Sequence, residues 1–230
     1  MAVEGMEFAH TWADTPMKDA DIRPRLRHWI EAIYPKSIFC RHFEEMRLGS
    51  AYGANALGAS SKRKFAVADF LVVNVEGMHA FEIKSDADTL NRLERQVPHY
   101  SAVCDTVSIV TTKKYYKKVK DIVPGWWGIL IPTKFPPAKY IKEKGTPLDL
   151  HRLETKNPGK EAVSVAAMLW RNDLIDLLYQ KEVQKPAQAR GRGVGKLREV
   201  AAENVSLEDL SAFVRLNLLR RNRHWWREDL

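Results

Sequence analysis

The sequence predicts an α/β fold: a mixed central sheet flanked by helices, followed by a helical C-terminal extension. Two patterns support this class. Strand-like runs alternate with helical patterns between residues 65 and 131, which is the order expected when helices pack on a sheet. After residue 160 the hydrophobic periodicity is helical. At 230 residues, with 45% hydrophobic and 29% charged side chains, the composition is that of an ordinary globular protein.

The predicted elements begin with an amphipathic helix. In "DADIRPRLRHWIEAIYP", Asp21 is a candidate N-cap and Pro35 ends the helical pattern. The next segment, "SIFCRHFEEMRLGS", predicts a second short helix or a strand-to-helix transition that carries Glu44 and Glu45. Residues 49–64 are rich in Gly, Ser and Ala, and this composition predicts a loop.

A hairpin and a helix form the centre of the predicted fold. The runs "FAVADFLVVN" and "HAFEIK" read as strands joined by a turn that contains Gly77. The helix "SDADTLNRLERQVPHYSAVC" follows, and Pro98 should kink or end it. The strand "DTVSIVTT", the basic helix "KKYYKKVKDIV" and the strand "GWWGILIP" come next. The Pro- and Lys-rich residues 132–159 are predicted as loop or irregular strand.

The remaining chain is predicted to be helical. "EAVSVAAMLWRNDLIDLLYQ" has a strong helical pattern, "KPAQARGRGVG" is a basic linker, and a final helix is capped by Ser206. We therefore divide the chain into a core, residues 1–159, which includes the N-terminal helix, and a basic helical region, residues 160–230, packed on the core or linked to it.

Charge and cysteine content narrow the function classes. The chain has 37 Lys and Arg against 29 Asp and Glu, a net charge of +8, which favours a polyanionic partner such as nucleic acid. Cys40 and Cys104 are too few for a disulfide framework or a structural zinc site. The N-terminus lacks signal-peptide features, and no apolar run approaches the roughly 18 residues of a membrane span. We therefore expect a cytoplasmic protein without a membrane partner.

Three charged residues of the hairpin are expected to meet. Glu82 and Lys84 share one face of their strand because side chains alternate. If the turn is centred between residues 75 and 76, Asp69 lies directly opposite Glu82, with Cβ atoms about 5 Å apart. On the following helix, Gln96 and Tyr100 are four residues apart and share a face.

This group of side chains suits phosphodiester hydrolysis. Two adjacent carboxylates repel each other unless a cation lies between them, and Mg²⁺ or Mn²⁺ prefers such oxygen ligands. A bound metal would polarise the phosphoryl oxygen, and Lys84 can hold or deprotonate the attacking water. Gln96 and Tyr100 can bond to a metal-bound water or to a phosphate oxygen. The alternative is an ordinary cross-strand ion pair on an exposed strand face.

The order Asp69, Glu82-Ile83-Lys84, Gln96-x-x-x-Tyr100 resembles the PD-(D/E)xK nuclease superfamily. The Q-x-x-x-Y element is similar to that of the RecB-like and phage exonuclease branch. The segments "FEIKSDADTLNRLERQVPHYSAVCD", "PGWWGIL" and "AAMLWRNDLIDLL" resemble a small family of phage and bacterial proteins of this superfamily, most of which have no assigned function. This closer likeness covers roughly residues 40–220.

The resemblance implies a restriction-endonuclease-like core with a metal site. Asp69, Glu82 and the backbone carbonyl of Ile83 would be the metal ligands, and Lys84 the catalytic lysine. It also implies a glutamate from an upstream helix, Glu44 or Glu45, of which we prefer Glu45, and it includes Gln96 and Tyr100 in the site.

Two positions depart from the superfamily pattern. Ala68 occupies the place where a proline often precedes the motif aspartate, and Val67 the place where an arginine is expected. Because of the second departure, the superfamily pattern does not identify which residues contact phosphate, although basic residues lie just upstream. The candidate DNA-binding residues are Arg63, Lys64, Lys113, Lys114, Lys117, Arg190, Arg192 and Lys196.

Alternatives remain for the basic segments and for the whole chain. "KKYYKKVK" also fits a solvated helix face, and "ARGRGVGK" lacks the glycine and the Ser or Thr of a phosphate-binding loop. Our main hypothesis is a Mg²⁺-dependent deoxyribonuclease, with Mn²⁺ as a substitute metal. The alternatives are a catalytically idle, nuclease-derived module that binds DNA or protein, encoded by a phage, and a regulatory DNA-binder that uses helices 160–223. RNA as substrate, a homodimer and a partner protein remain open.

Overall fold

The structure, a computed structural model, describes residues 16–49, 65–133 and 148–221. Its centre is a six-stranded sheet whose strands lie side by side in chain order. The third, fourth and fifth strands run parallel, and the other neighbours are antiparallel. The prediction of a mixed α/β fold is therefore confirmed. The strands are β1 (Cys40–Gly49), β2 (Phe65–Asn74), β3 (Met78–Lys84), β4 (Thr106–Thr111), β5 (Gly128–Pro132) and β6 (Leu148–Arg152).

Eight α-helices accompany the sheet in the described part of the chain. One precedes the sheet, two connect its strands, and five follow it. A single 3₁₀ turn, Leu90–Arg92, leads into the second helix. The helices are α1 (Asp19–Ile33), α2 (Leu93–Val103), α3 (Tyr116–Ile122), α4 (Ala162–Ala166), α5 (Arg171–Gln180), α6 (Pro186–Arg190), α7 (Val194–Asn204) and α8 (Leu207–Arg220).

Helices cover both faces of the central strand β3. On one face, Phe81 and Ile83 pack in a cluster with apolar residues of α1 such as Leu26. On the other face, a larger cluster joins the sheet to α2 and to the C-terminal helices. Glu82 and Lys84 point to this second face and are only 2% and 4% exposed. The pair is therefore buried, and the exposed strand face considered as an alternative is wrong.

The β2–β3 hairpin has the predicted register. Phe70 pairs with Phe81, and extending this ladder by one residue places Asp69 opposite Glu82. The turn is closed by Asn74, whose Oδ1 accepts hydrogen bonds from the backbone N–H groups of residues 76 and 77, at 2.9 and 2.8 Å. The predicted register is therefore confirmed over the four observed pairs.

Both β1 and β2 carry an irregularity at the same point of their ladder. Phe43 and Met46 belong to one hydrophobic cluster although they are three residues apart, and so do Ala68 and Leu71. In a regular strand, such residues would point to opposite faces. Between the first two, Glu45 has a φ of 56°. In both strands, the alternation of side chains between the two faces of the sheet therefore shifts by one residue near Glu45.

Several local predictions need correction. The segment that carries Glu44 and Glu45 is neither a helix nor a strand-to-helix transition. It is strand β1, paired with β2 on both sides of Glu45, because the sheet satisfies the backbone hydrogen bonds of this segment. Pro98 does not end α2, since the buried residues Tyr100 and Val103 beyond it keep that part of the helix on the core. The prediction of loop or irregular strand for residues 132–159 holds at 148–152, where strand β6 pairs with β5 across a shift in register.

The C-terminal helices are shorter than predicted. The expected helix over residues 161–180 is divided into α4 and α5, because Asp173 accepts a hydrogen bond from the N–H of Trp170 (2.9 Å) and starts a new helix there. The expected linker contains α6, which begins at Pro186, a residue suited to the first helical turn. The cap at Ser206 is confirmed by a bond from the N–H of Asp209 (3.1 Å). Among the described residues, no helix has the length and apolar character needed to cross a bilayer.

Replacement of Gly49 tests the packing of β1 against the C-terminal region. A Cβ atom at Gly49 would lie 2.5 Å from the carbonyl oxygen of Ala167, so Gly49→Ala should cost about 1–3 kcal/mol of unfolding free energy. Gly159 has open space around it, and Gly159→Ala should leave stability unchanged or slightly raised. Urea denaturation followed by circular dichroism measures both, and equal stabilities would contradict this packing.

Candidate active site

A pocket of about 600 Å³ opens beside the ends of β2 and β3. Asp69 of β2 and both Glu82 and Lys84 of β3 line it, together with Gln96 of α2 and Glu45 of β1. The hydroxyl of Tyr100 reaches the carboxylate of Glu82 from the core side. The six residues proposed as catalytic from the sequence therefore gather around one cavity.

Glu82 accepts hydrogen bonds from three side chains of the site. Its Oε1 accepts hydrogen bonds from Lys84 Nζ and from Gln96 Nε2, the latter at 2.8 Å. Its Oε2 accepts a hydrogen bond from the hydroxyl of Tyr100, which also lies 3.1 Å from the carbonyl oxygen of Val67. Tyr100 is fully buried, and burial raises the pKa of its hydroxyl well above the ordinary value. Tyr100 thus acts as a fixed donor to Glu82.

Asp69 is held by a backbone group and by a cation. Its Oδ2 accepts a hydrogen bond from the N–H of Ile83 (2.7 Å), and its Oδ1 accepts one from Arg23 Nη2 (3.0 Å). Burial, and then the neighbouring charge of Glu82, raise the pKa of Asp69 to about 7, although both hydrogen-bond partners oppose the shift. Two carboxylates therefore share a poorly hydrated site, a condition that a further cation would relieve.

The two candidate glutamates of β1 have different positions. Glu45 lines the pocket, and its Oε1 lies 2.9 Å from Arg23 Nη1. Glu44 is bound by Arg27 through two hydrogen bonds of 3.0 Å and is not among the pocket-lining residues that the structure describes. The preferred residue, Glu45, is the one at the pocket. It comes from a strand and not from the helix that the resemblance implied.

Sequence analysis missed three basic residues at this pocket. Arg23 projects from α1 and bonds to the site carboxylates, while Arg92 and Arg95 line the pocket from the start of α2 and are exposed. Arg92 and Arg95 precede Gln96 by four residues and one residue. This spacing puts them within one helical turn of Gln96, so the sequence alone could have indicated that they lie near the site. Arg23 carried no such signal, because only the packing of α1 on the sheet brings it to Asp69.

The candidate DNA-binding residues divide into three groups. Lys113, Lys114 and Lys117 follow the carboxyl end of β4 and are exposed. Lys84 pairs with Thr111, so β3 and β4 end side by side. Lys113 and Lys114, which follow Thr111, therefore lie at the end of the sheet where the pocket opens. The C-terminal group is exposed on α6, α7 and their connection, and its members are not among the described residues that line the pocket. That group comprises Arg190, Arg192 and Lys196, while Arg63 and Lys64 lie outside the described residues.

The donors at the pocket fit a hard divalent cation with few protein ligands. Of the lining residues that the structure describes, five are carboxylates and three are Lys or Arg. The buried Oε1 of Gln96 has no hydrogen-bond partner there, so a metal-bound water could donate to it. Across the described ranges, no group of three or more His, Cys, Asp or Glu side chains is arranged to hold a metal. Mg²⁺ can bind at a site with so few protein ligands, since it usually keeps several water ligands and takes one or two carboxylates.

Comparison with known families gives one match. The family model described as Bacteriophage P4 protein cII matches residues 62–228, more than two thirds of the chain. The chain belongs to this family. No curated protein and no solved structure matches it. Membership of the P4 cII family confirms the phage part of the resemblance, and the assignment to a nuclease superfamily remains a prediction. The matched region contains Asp69 through Tyr100 and leaves α1 and β1 outside.

A double-mutant cycle tests the buried pair of this P4 cII family member. Lys84→Met leaves the buried Glu82 without its cation and should cost roughly 3–5 kcal/mol. Glu82→Gln should also destabilise, because it leaves the Lys84 ammonium unpaired. The double variant should lose about 1–3 kcal/mol less unfolding free energy than the two single variants lose in sum. Urea unfolding in EDTA gives the three values, and additive effects would show that the pair is not coupled.

Proposed function

We propose that the chain is a metal-dependent nuclease that hydrolyses phosphodiester bonds in DNA. The observation that carries this proposal is the meeting of Asp69, Glu82 and Lys84 at one pocket, with Gln96 and Tyr100 bonded to Glu82 from the adjacent helix. An ordinary surface ion pair does not need a second carboxylate, nor two further donors on one of its partners. The arrangement is that expected of a two-carboxylate metal site with a lysine beside it.

The side chains have separate roles in this proposal. Asp69 and Glu82, with the carbonyl of Ile83, would hold Mg²⁺ or Mn²⁺, which when bound would supply Lewis-acid polarisation of the phosphoryl oxygen and the attacking water. Lys84 lies beside Glu82 and lines the pocket, so its ammonium group can orient that water. Gln96 and Tyr100 each donate to a different oxygen of Glu82. They fix the carboxylate in one orientation, and such positioning contributes to rate.

Charge supports DNA as the substrate. The chain has a net charge of +8, and exposed lysines follow β4 at the end of the sheet where the pocket opens. Exposed Arg92 and Arg95 line the same pocket, where they can contact phosphate groups on either side of the scissile bond. RNA carries the same phosphates, so these contacts alone do not separate the two nucleic acids.

A second candidate is a nuclease-derived binding module without catalysis. The observation in its favour is that the site is neutralised from within the chain: Lys84 pairs with Glu82, and Arg23 pairs with Asp69 and Glu45. A site of this kind is stable without a metal ion. The module would bind DNA or a protein and leave phosphodiester bonds intact.

Digestion of linear and circular DNA, single- and double-stranded, separates the two candidates. With Mg²⁺ or Mn²⁺ the wild type should cleave, and Lys84→Ala or Asp69→Asn should lower the rate by at least about 100-fold, as expected when a positioned catalytic group or a metal ligand is removed. Lys36→Ala is the matched control, because Lys36 also pairs with a glutamate (Glu31, 2.9 Å) but lies on the surface. Cleavage of circles would indicate an endonuclease.

The outcomes of this assay differ clearly. EDTA should abolish cleavage, and RNA of the same sequence tests the substrate class. Absence of cleavage in the wild type, together with DNA binding that is unchanged by Lys84→Ala, would overturn the nuclease proposal in favour of the binding module.

The contribution of the two basic surfaces can be measured in EDTA, which should abolish cleavage and leave the Lys84–Glu82 pair intact. Replacing Lys113, Lys114 and Lys117 by Ala should weaken DNA binding and lower the salt slope by about 0.9 for each phosphate that the variant no longer neutralises. Replacing the C-terminal group, Arg190, Arg192 and Lys196, should have a smaller effect if the DNA lies along the end of β4, which the three lysines follow. Fluorescence anisotropy at several salt concentrations gives both slopes, and a larger effect of the C-terminal group would locate the DNA elsewhere.

A further inference from the structure

Arg23 joins three carboxylates at the edge of the pocket. Its Nε donates to Asp19 Oδ2 (3.0 Å), its Nη1 lies 2.9 Å from Glu45 Oε1, and its Nη2 donates to Asp69 Oδ1 (3.0 Å). Nη2 also donates to Asp19 Oδ1 (3.3 Å), so all three guanidinium nitrogens contact acidic side chains. The three acids come from α1, β1 and β2, so the guanidinium is a bridge between separate elements.

The position of Arg23 is fixed by packing as well as by charge. Its guanidinium carbon lies 5.5 Å from the centre of the Phe70 ring, within the range of a cation–π contact. Its side chain is only 21% exposed. Arg23 is therefore an ordered part of the site and not a solvated surface arginine.

We propose that Arg23 is a resident cation that competes with the divalent metal ion for Asp69. The proposal rests on the proposed function in one respect, since it takes Asp69 as a ligand of the metal site. In the metal-free protein, Arg23 neutralises the site and holds its carboxylates in place. Binding of the metal ion requires the guanidinium to withdraw from Asp69, so Arg23 sets the metal concentration at which the site is filled.

The hydrogen bonds of Asp69 explain why the two cations exclude each other. Oδ2 of Asp69 accepts the N–H of Ile83 at 2.7 Å, and Oδ1 accepts a hydrogen bond from Arg23, so a metal ion on Oδ1 has to share that oxygen with the guanidinium. A divalent ion on the same oxygen would lie within a few ångströms of the guanidinium. Repulsion between cations at such separations is strong where water is partly excluded. Occupation by one of them therefore disfavours the other.

The next turn of α1 provides a matched control. Arg27 lies 5.9 Å from the same Phe70 ring and pairs with Glu44 at 2.9 Å, so it resembles Arg23 in type, helix and ring contact. Neither Arg27 nor Glu44 is among the described residues that line the pocket. Removing the charge of Arg27 changes the net charge of the protein as much as removing that of Arg23, without freeing Asp69.

The test is the affinity for Mn²⁺ alone, measured from the electron paramagnetic resonance signal of the free ion. Arg23→Gln should lower the Kd for Mn²⁺ by about tenfold or more, because a competing charge is removed from the ligand oxygen. Arg27→Gln should leave the Kd near the wild-type value. The double variant Arg23→Gln, Asp69→Asn should lack the increase in Mn²⁺ affinity, because the ligand carboxylate is removed. Arg23→Lys keeps the charge but cannot reach three carboxylates, so it should give a smaller gain and serves if Arg23→Gln does not fold.

Each other result overturns the proposal in a distinguishable way. Equal Mn²⁺ affinity in the wild type and the Arg23 variants would show that Arg23 does not compete with the metal ion, but it would not contradict the metal site or the nuclease proposal. Weaker binding in Arg23→Gln would show that Arg23 supports the ligands instead of competing for them. An equal gain in Arg27→Gln would indicate a general charge effect. No binding in any variant would remove both the competition and the proposed metal site.

Discussion

Burial of the Glu82 carboxylate is the constraint on which the rest of the structure depends. Helices cover both faces of β3, and the carboxylate is 2% exposed, so it must be paired and hydrogen-bonded inside the protein. Lys84, Gln96 and Tyr100 meet this requirement from β3 and α2. The same contacts orient α2, because residues 96 and 100 lie on one helical face, and Tyr100 also packs edge-on against Trp127 with ring centres 5.6 Å apart. Core packing and the proposed chemistry therefore share one set of contacts.

The irregularity of β1 and β2 follows from a conflict between this site and the core. A strict alternation would place Asp69 on the site face but turn Ala68 away from the larger cluster, in which it is fully buried. The one-residue shift satisfies both demands. It has a backbone cost, since a positive φ at a residue such as Glu45 is unfavourable by roughly 1–3 kcal/mol. The surrounding ladder and the ion pair with Arg23 hold the residue there, and strain of this type is more frequent at functional sites than elsewhere.

The sequence predicts those parts of the site that depend on local periodicity. The pairing of Asp69 with Glu82 follows from two alternating strands and a short turn, and the common face of Gln96 and Tyr100 follows from helical spacing. Contacts that depend on the packing of distant elements are not predictable in this way. The bridge from Arg23 to Asp69 spans 46 residues in sequence, and on α1 this arginine has the pattern of a solvated position. Glu45 was placed in a helix for a related reason: only pairing with β2 makes its segment a strand.

The two parts of the site thus have different origins in the chain, and this division suggests an order of binding. The region matched by the P4 cII family begins at residue 62 and supplies the carboxylates, the lysine and the donors of α2, while Arg23 and Glu45 come from the segment before it. Five carboxylates and three Lys or Arg are among the described lining residues of the pocket, and Arg23 of the N-terminal helix bonds to three of those carboxylates. In the proposed nuclease, a metal ion would have to replace this bonded arginine at Asp69 before the substrate phosphate enters. Under that proposal, the segment before the family match would set the metal concentration at which the pocket accepts DNA.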